Sequence, residues 1–207
     1  MGSWGCDPAE RTAECCRPVE PDPVNTGGGI RISENVIKQS FSTRIIAEIA
    51  IFAAFSTALS FITFVVFPQG GSVTAGSMVP MLWLSLRRGP KIGLFAGAVY
   101  GLVQLAVMPQ IYYPLQVVID YPLAFGCLGL AGFFKKRIRV GVSVSVTGRF
   151  LMHLISGAIF FAEYAPKGMN PWVYSVLYNG SYMLPEMVIS LSIIYLLKKS
   201  NILNLYL

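Results

Sequence analysis

From residue 45 onward, apolar stretches about long enough to cross a bilayer follow one another with only short polar breaks, and no other feature constrains the fold as tightly. A helix needs about 20 residues to cross a hydrocarbon core of ~30 Å. The first stretch, 45–67, carries no charge except Glu48, and five more follow at 73–86, 92–108, 114–134, 140–161 and 174–197. Together they predict an all-α integral membrane domain over 45–207, a bundle of six transmembrane helices. Their continuous apolar character excludes a β-barrel, whose strands alternate with period two. The second stretch is the shortest, reaching only about 21 Å at 1.5 Å per residue. With Pro80 inside it, a short, kinked or partly re-entrant segment is predicted there.

Charge supports this layout. The chain has 16 basic and 10 acidic residues, but six of the acids fall within the first 34 positions, leaving Glu48, Asp120, Glu163 and Glu186 for the rest. Lys and Arg punctuate the ends of the apolar stretches and form no single stripe, so nucleic acid is a poor partner for this chain. When the loops are assigned alternately, one side collects Lys38, Arg44, Arg87, Arg88, Lys91, Lys135, Lys136, Arg137, Arg139, Lys198 and Lys199, and the other Lys167 alone. Basic loops face the cytoplasm. Both termini are therefore predicted to be cytoplasmic, in a multi-pass protein of the plasma membrane with the lipid bilayer around it.

Residues 1–44 differ in kind. Pro18, Pro21, Pro23, the triplet at 27–29 and most of the acids predict a solvated, disordered extension. It lacks the basic start and apolar core of a signal peptide, so cleavage is not expected. Cys6, Cys15 and Cys16 lie there without a second CxxC or a neighbouring His, and no metal site is assigned to them. Cys127 reads as a small core residue.

Small residues recur at helical spacing. Ala50, Ala54 and Ala58 place three small side chains on one face of the first helix, where another helix can approach closely. Gly93, Gly97 and Gly101 repeat the spacing on the third, and Gly126, Gly129 and Gly132 loosen the fourth; close packing inside the bundle accounts for both glycine rows.

A carboxylate in mid-membrane costs about 2.5–3.5 kcal/mol on insertion scales, so each asks for a reason. Asp120, followed by Tyr121 and Pro122, lies early in the fourth stretch. His153, the sole histidine, lies in the outer half of the fifth, with Phe161, Glu163 and Tyr164 beyond it, and Trp172, Tyr174, Tyr178, Asn179 and Tyr182 cluster where the sixth begins. These segments converge on the side opposite the basic loops and predict an aromatic, acid-containing concavity opening outward. Two carboxylates and no outward-facing Arg favour a cation, and the aromatic faces favour a flat ring. Glu48 lies close enough to the inner boundary to snorkel. For Glu186, in mid-span after Pro185, Arg149 is the expected neighbour.

The chain has no GxxxxGK[ST] loop, no HExxH, no GxSxG elbow and no acid cluster for catalytic Mg²⁺, which argues against a membrane enzyme. A solute-binding membrane protein without an ATP site must couple to an ion gradient or borrow an ATPase.

The stretches 68–78 (PQGGSVTAGSM), 87–97 (RRGPKIGLFAG), 113–132 (YPLQVVIDYPLAFGCLGLAG) and 148–185 (GRFLMHLISGAIFF, then YAPKGMNPWVYSVLYNGSYMLP) resemble the thiamine-specific substrate-capture component of energy-coupling-factor vitamin transporters. The resemblance covers roughly 45–197. It implies a six-helix protein that binds thiamine from outside, needs no cofactor or metal, and works with a transmembrane scaffold subunit and two cytoplasmic ATPases. It places the family's acid–Tyr pair on Asp120 and Tyr121, the acid bonding the aminopyrimidine, its histidine on His153, and its sixth-helix polar positions on Tyr174 and Asn179. Ala50, Ala54 and Ala58 match its scaffold-docking face. Where some relatives have Trp, Phe161 stands here, and the loop 68–72 has no aromatic lid residue; Tyr112 or Tyr113 is the expected replacement ring. Glu163 and Trp172 complete the expected binding set. A capture protein for a thiamine precursor or another heteroaromatic vitamin is the alternative within the class, and a stand-alone ion-coupled carrier the alternative outside it.

Overall fold

A computed structural model describes residues 42–200. Cys6, Cys15, Cys16, Lys38 and nearly all of the extension lie outside the described residues. Helix α1 (Thr43–Ser60) leads into a hairpin of β1 (Thr63–Val66) and β2 (Ser72–Thr74), followed by α2 (Val79–Arg88), α3 (Pro90–Val107), α4 (Pro114–Phe134), α5 (Ile138–Phe160) and α6 (Pro171–Lys199). Among the described residues, five of these helices, all but α2, are long and apolar enough to cross a membrane. Helices α2, α3, α4 and α6 each carry Pro in the first turn, where the missing N–H has no intrahelical partner to lose.

The first expected span stops seven residues early. Residues 61–66 (FITFVV) are aromatic and β-branched, types that fit a pleated strand better than a helix, and the turn-forming PQGG at 68–71 folds them back onto β2. The antiparallel pairs are Thr63–Thr74, Val65–Val73 and Val66–Ser72, with a bulge between Thr63 and Val65. The second expected span is likewise not one helix. Its first part is β2 and an irregular stretch through Met78, and Pro80 helps to start α2 rather than kinking it. Helix α2, only about 15 Å long, is buried around nearly its whole circumference, with Leu82, Leu84 and Leu86 fully enclosed. Unable to reach lipid along its length, it is the core against which the longer helices pack.

Helix α4 changes pitch repeatedly: α-helical at Pro114–Val118, a π turn at Ile119–Leu123, one α turn, then 3₁₀ over Cys127–Phe134. Pro122, which has no N–H to donate, lies in the π turn. A 3₁₀ helix has three residues per turn, so Gly126, Gly129 and Gly132 line up on one face. A Cβ on Gly129 would overlap the backbone of Gly93 and Leu94, and one on Gly97 the Phe125 carbonyl. The two glycine rows thus let α3 and α4 touch backbone to backbone. Ser85 ties α2 to the same seam, donating to the Gly129 carbonyl at 2.8 Å and accepting from the Gly132 N–H at 3.0 Å.

The basic residues mark one end of the bundle. Arg88 donates to both carboxylate oxygens of Glu48, Arg44 lies 3.6 Å from the same group, and Lys135 reaches the Arg87 carbonyl. Glu48 is therefore ion-paired between α1 and α2. On α1, Ile45, Ile49, Ala53, Ser56 and Ser60 face the core, while Ala50, Ala54 and Ala58 are exposed.

Candidate functional site

At the opposite end the hairpin and the ends of α1, α3, α4, α5 and α6 enclose a cavity of about 500 Å³, a size usual for small-molecule sites. The loop between β1 and β2 roofs it. Gln69, at the loop tip, holds φ at 65°, a left-handed conformation costly for a residue with a Cβ and kept only where neighbours enforce it. They come from α6: the Tyr178 hydroxyl donates to the Pro68 carbonyl and accepts from the Gly71 N–H at 3.3 Å, and Tyr174 lies 3.4 Å from the Gln69 amide. Gly71 fits because a Cβ there would stand 2.8 Å from the Tyr182 ring. Tyr174 and Tyr178 stack at 6.1 Å, with Phe67 edge-on to Tyr178.

The middle of the cavity is a polar network built on the π turn of α4, which presents Asp120. One Asp120 oxygen lies 3.0 Å from Nδ1 of His153, and the other accepts from Gln116 and Ser156, each at 2.8 Å. Arg149, one turn before His153 on α5, donates from Nε to Nε2 of His153 at 3.3 Å. A guanidinium can only donate, so Nε2 is the accepting nitrogen and Nδ1 carries the hydrogen that Asp120 receives. Both ring nitrogens are thereby committed in the imidazole plane, and what His153 has left to offer is its ring face. Asn179 is committed too, donating to the Ser175 and His153 carbonyls and accepting from Tyr182 at 2.6 Å. Tyr121 bonds the Met108 carbonyl and the Gln110 N–H, fixing the α3–α4 turn.

Deeper in the cavity, Glu186 accepts from Thr74 at 2.6 Å and from Ser77 at 3.2 Å. These hydroxyls, not Arg149, are the partners of Glu186. Arg149 instead lies over the Phe125 ring, 4.0 Å from its centroid. It also lines the cavity, which corrects the expectation that no arginine faces the pocket.

Of the residues expected at the site, Asp120, Tyr121, His153, Phe161, Tyr174 and Asn179 line this cavity. Tyr113, Glu163 and Trp172 do not. Tyr113 packs on Phe160 outside it, Glu163 is exposed in a short 3₁₀ turn, and Trp172 is half-exposed at the start of α6. Tyr112 sets its edge against Phe161, and the aromatic faces near the roof come from α6. Sequence reasoning missed Gln69, Gln116, Arg149 and Glu186 as wall residues. The signal was present as rows four residues apart: Gln116 and Asp120; Arg149, His153 and Gly157; Tyr174, Tyr178, Tyr182 and Glu186. Among the described residues no group of three or more His, Cys, Asp or Glu is placed to hold a metal. Stacked rings, an acid–imidazole pair and a guanidinium suit non-covalent capture of a flat, polar heterocycle.

Residues 46–205 match the family model described as Thiamine transporter protein (Thia_YuaJ). The chain is 36% identical to Thiamine transporter ThiT of Bacillus subtilis, over 72% of this chain and 88% of that protein. It is 31% identical to Thiamine transporter ThiT of Lacticaseibacillus paracasei, over 72% and 84%. Among solved structures, ThiT from Listeria monocytogenes superposes with a TM-score of 0.67 at 30% identity, covering 77% of this chain and 96% of that one.

Proposed function

The chain belongs to the thiamine transporter protein family, a multi-pass membrane family of transporters rather than enzymes, and from that premise we propose that it is the thiamine-capturing subunit of an ATP-driven vitamin importer. Thiamine joins an aminopyrimidine to a thiazolium cation with a hydroxyethyl arm. The observation that carries the reading is Asp120 held against His153 inside a tyrosine-walled cavity. Asp120 accepts from the ligand's amino group, the one lone pair it has left after three internal bonds. The faces of His153, Phe161 and Tyr174 stack on the rings.

The sequence has no GxxxxGK[ST] loop, and in this reading the energy comes from partners: a membrane scaffold and two cytoplasmic ATPases, with the exposed row Ala50, Ala54 and Ala58 as the surface the scaffold approaches. The cavity opens away from the basic, cytoplasmic end, as capture from outside requires.

Isothermal titration of the purified protein tests the reading. Thiamine is expected to bind, and Asp120→Ala to weaken it about 10- to 100-fold, the range for hydrogen bonds to a charged group. Unchanged affinity would remove Asp120 from the site. Gradient-driven uptake by this chain alone in liposomes would replace the ATPase-coupled scheme with an ion-coupled carrier.

A further inference from the structure

The cavity wall is nearly saturated with internal bonds. Gln116, Tyr121, His153, Asn179 and Tyr182 all spend their polar atoms on one another or on backbone. Among the described residues, four buried side-chain polar atoms have no partner: Ser56 Oγ, Trp83 Nε1, Arg149 Nη1 and Ser190 Oγ. Only one of the four, Arg149, belongs to the cavity wall. The residue is 9% exposed, and the guanidinium is pinned at its inner edge by the Nε bond to His153 and on its face by Phe125. The outer edge, carrying the terminal nitrogens, is thus preset in direction: Nη1 is sealed inside the wall without a partner, and Nη2, which makes no bond to the protein either, is the terminal nitrogen left open. A guanidinium N–H held in a largely buried wall without an acceptor is costly, and the one an occupant of the cavity can satisfy is on Nη2.

Thiamine offers few acceptors. The thiazolium nitrogen has no lone pair, and the hydroxyl hangs from the cationic ring, which a fixed positive charge repels. The two pyrimidine nitrogens remain, on a neutral ring. Arg149 lies about 6 Å deeper along α5 than His153, four residues at 1.5 Å each, below the level of the Asp120–His153 pair. We infer that Arg149 is a specificity-determining residue of the site, donating from its outer guanidinium edge to a pyrimidine ring nitrogen. Asp120 then takes the amino group and Arg149 the neighbouring acceptor, reading two different features of one ring. The inference rests on the thiamine reading above.

The test is a cycle of two proteins against three ligands by calorimetry: wild type and Arg149→Met, with thiamine and with the two analogues in which one or the other pyrimidine nitrogen is replaced by CH. Arg149→Met should bind thiamine about 10- to 100-fold more weakly. One analogue should bind wild type with a similar loss and should lose no more than about twofold further on Arg149→Met. The wild-type comparison stands even if the variant misfolds: equal wild-type affinity for thiamine and both analogues overturns the inference. So does an Arg149→Met penalty that is the same for all three ligands, which would mark a purely structural role through His153 and Phe125. Wild type that binds no thiamine at all overturns the functional reading and this inference with it, whereas thiamine binding without coupling overturns only the inference.

Discussion

Glu186, in the middle of α6, accepts a 2.6 Å hydrogen bond from the hydroxyl of Thr74, which is 112 residues earlier in the chain and ends β2, where the hairpin gives way to the non-helical stretch before α2. Ser77 adds a second bond to the same oxygen. Backbone without helical bonding is tolerated at membrane depth only where protein or a polar cavity satisfies it. Here Thr74 Oγ1 accepts the Ser77 N–H, the Ala75 N–H reaches the Ile62 carbonyl, and Glu186 anchors the hydroxyls. A carboxylate expected beside Arg149 is instead the fixing point for the root of the roof.

Glu186→Ala removes the acceptor shared by two buried hydroxyls, which as donors keep only their bond to each other, a loss of about 1–3 kcal/mol. The purified protein should melt at lower temperature, and amides at 72–78 should exchange faster. Glu186→Gln, whose amide oxygen still accepts, should recover most of the difference. An Ala variant that melts like wild type would contradict the anchor.

Tyr178→Phe keeps the ring packing but deletes the donor to Pro68 and the acceptor for Gly71 at the loop tip. The roof should open more readily, so bound thiamine should leave about 3- to 10-fold faster in stopped-flow displacement, the effect of losing roughly one neutral hydrogen bond. The association rate should change less. An unaltered dissociation rate would show that the loop is not the exit.

Gly129 and Gly180 make opposite predictions for one substitution. A methyl group at Gly129 overlaps the α3 backbone, whereas at Gly180 it meets nothing within 4 Å. Gly129→Ala should cost about 1–3 kcal/mol or more through overpacking, and Gly180→Ala should stabilise α6 by about 0.5–1 kcal/mol through its helix preference. Thermal unfolding of the pair should bracket wild type, and the reverse order would contradict the backbone seam.

Ala54→Trp alters a side chain exposed on the outward face of α1, away from the cavity. Thiamine affinity should stay within about twofold of wild type, since surface changes away from special features are near neutral. With the proposed scaffold and ATPases present, ATP-dependent uptake should fall to background. Normal uptake would move the docking surface elsewhere.

The helices and the cavity were legible to different degrees. Apolar runs and basic loop ends announced the long helices, because lipid demands both over many consecutive residues. Residues 61–66 look equally apolar but leave the helix and enter β1 at Thr63–Val66, since hydropathy does not separate a buried helix from an apolar hairpin; the aromatic and β-branched run before PQGG was the finer clue. The pitch changes of α4 were marked by Pro122 and by glycines every third residue, yet which neighbour pressed against them was invisible. At the site, Asp120 and His153 were identifiable because a carboxylate and an imidazole are rare in such a chain. Trp172 and Tyr113 lie outside the cavity wall; aromatics at the end of a span serve the membrane interface as readily as a pocket.

The sequence by itself determined the membrane class, the long spans, the charge asymmetry between the two ends and the family. The first three follow from composition summed over many residues, where no single contact matters, and the family from four motifs that occur in order. Only the tertiary structure decided that Glu186 answers Thr74 and Ser77 rather than Arg149, that Arg149 turns to His153 and the cavity, and that the hairpin forms the roof. Each depends on which atoms meet within about 3 Å across separate helices, and helix rotation and depth of that precision are set by packing, above all by the glycine contact of α3 with α4, which hydropathy does not encode.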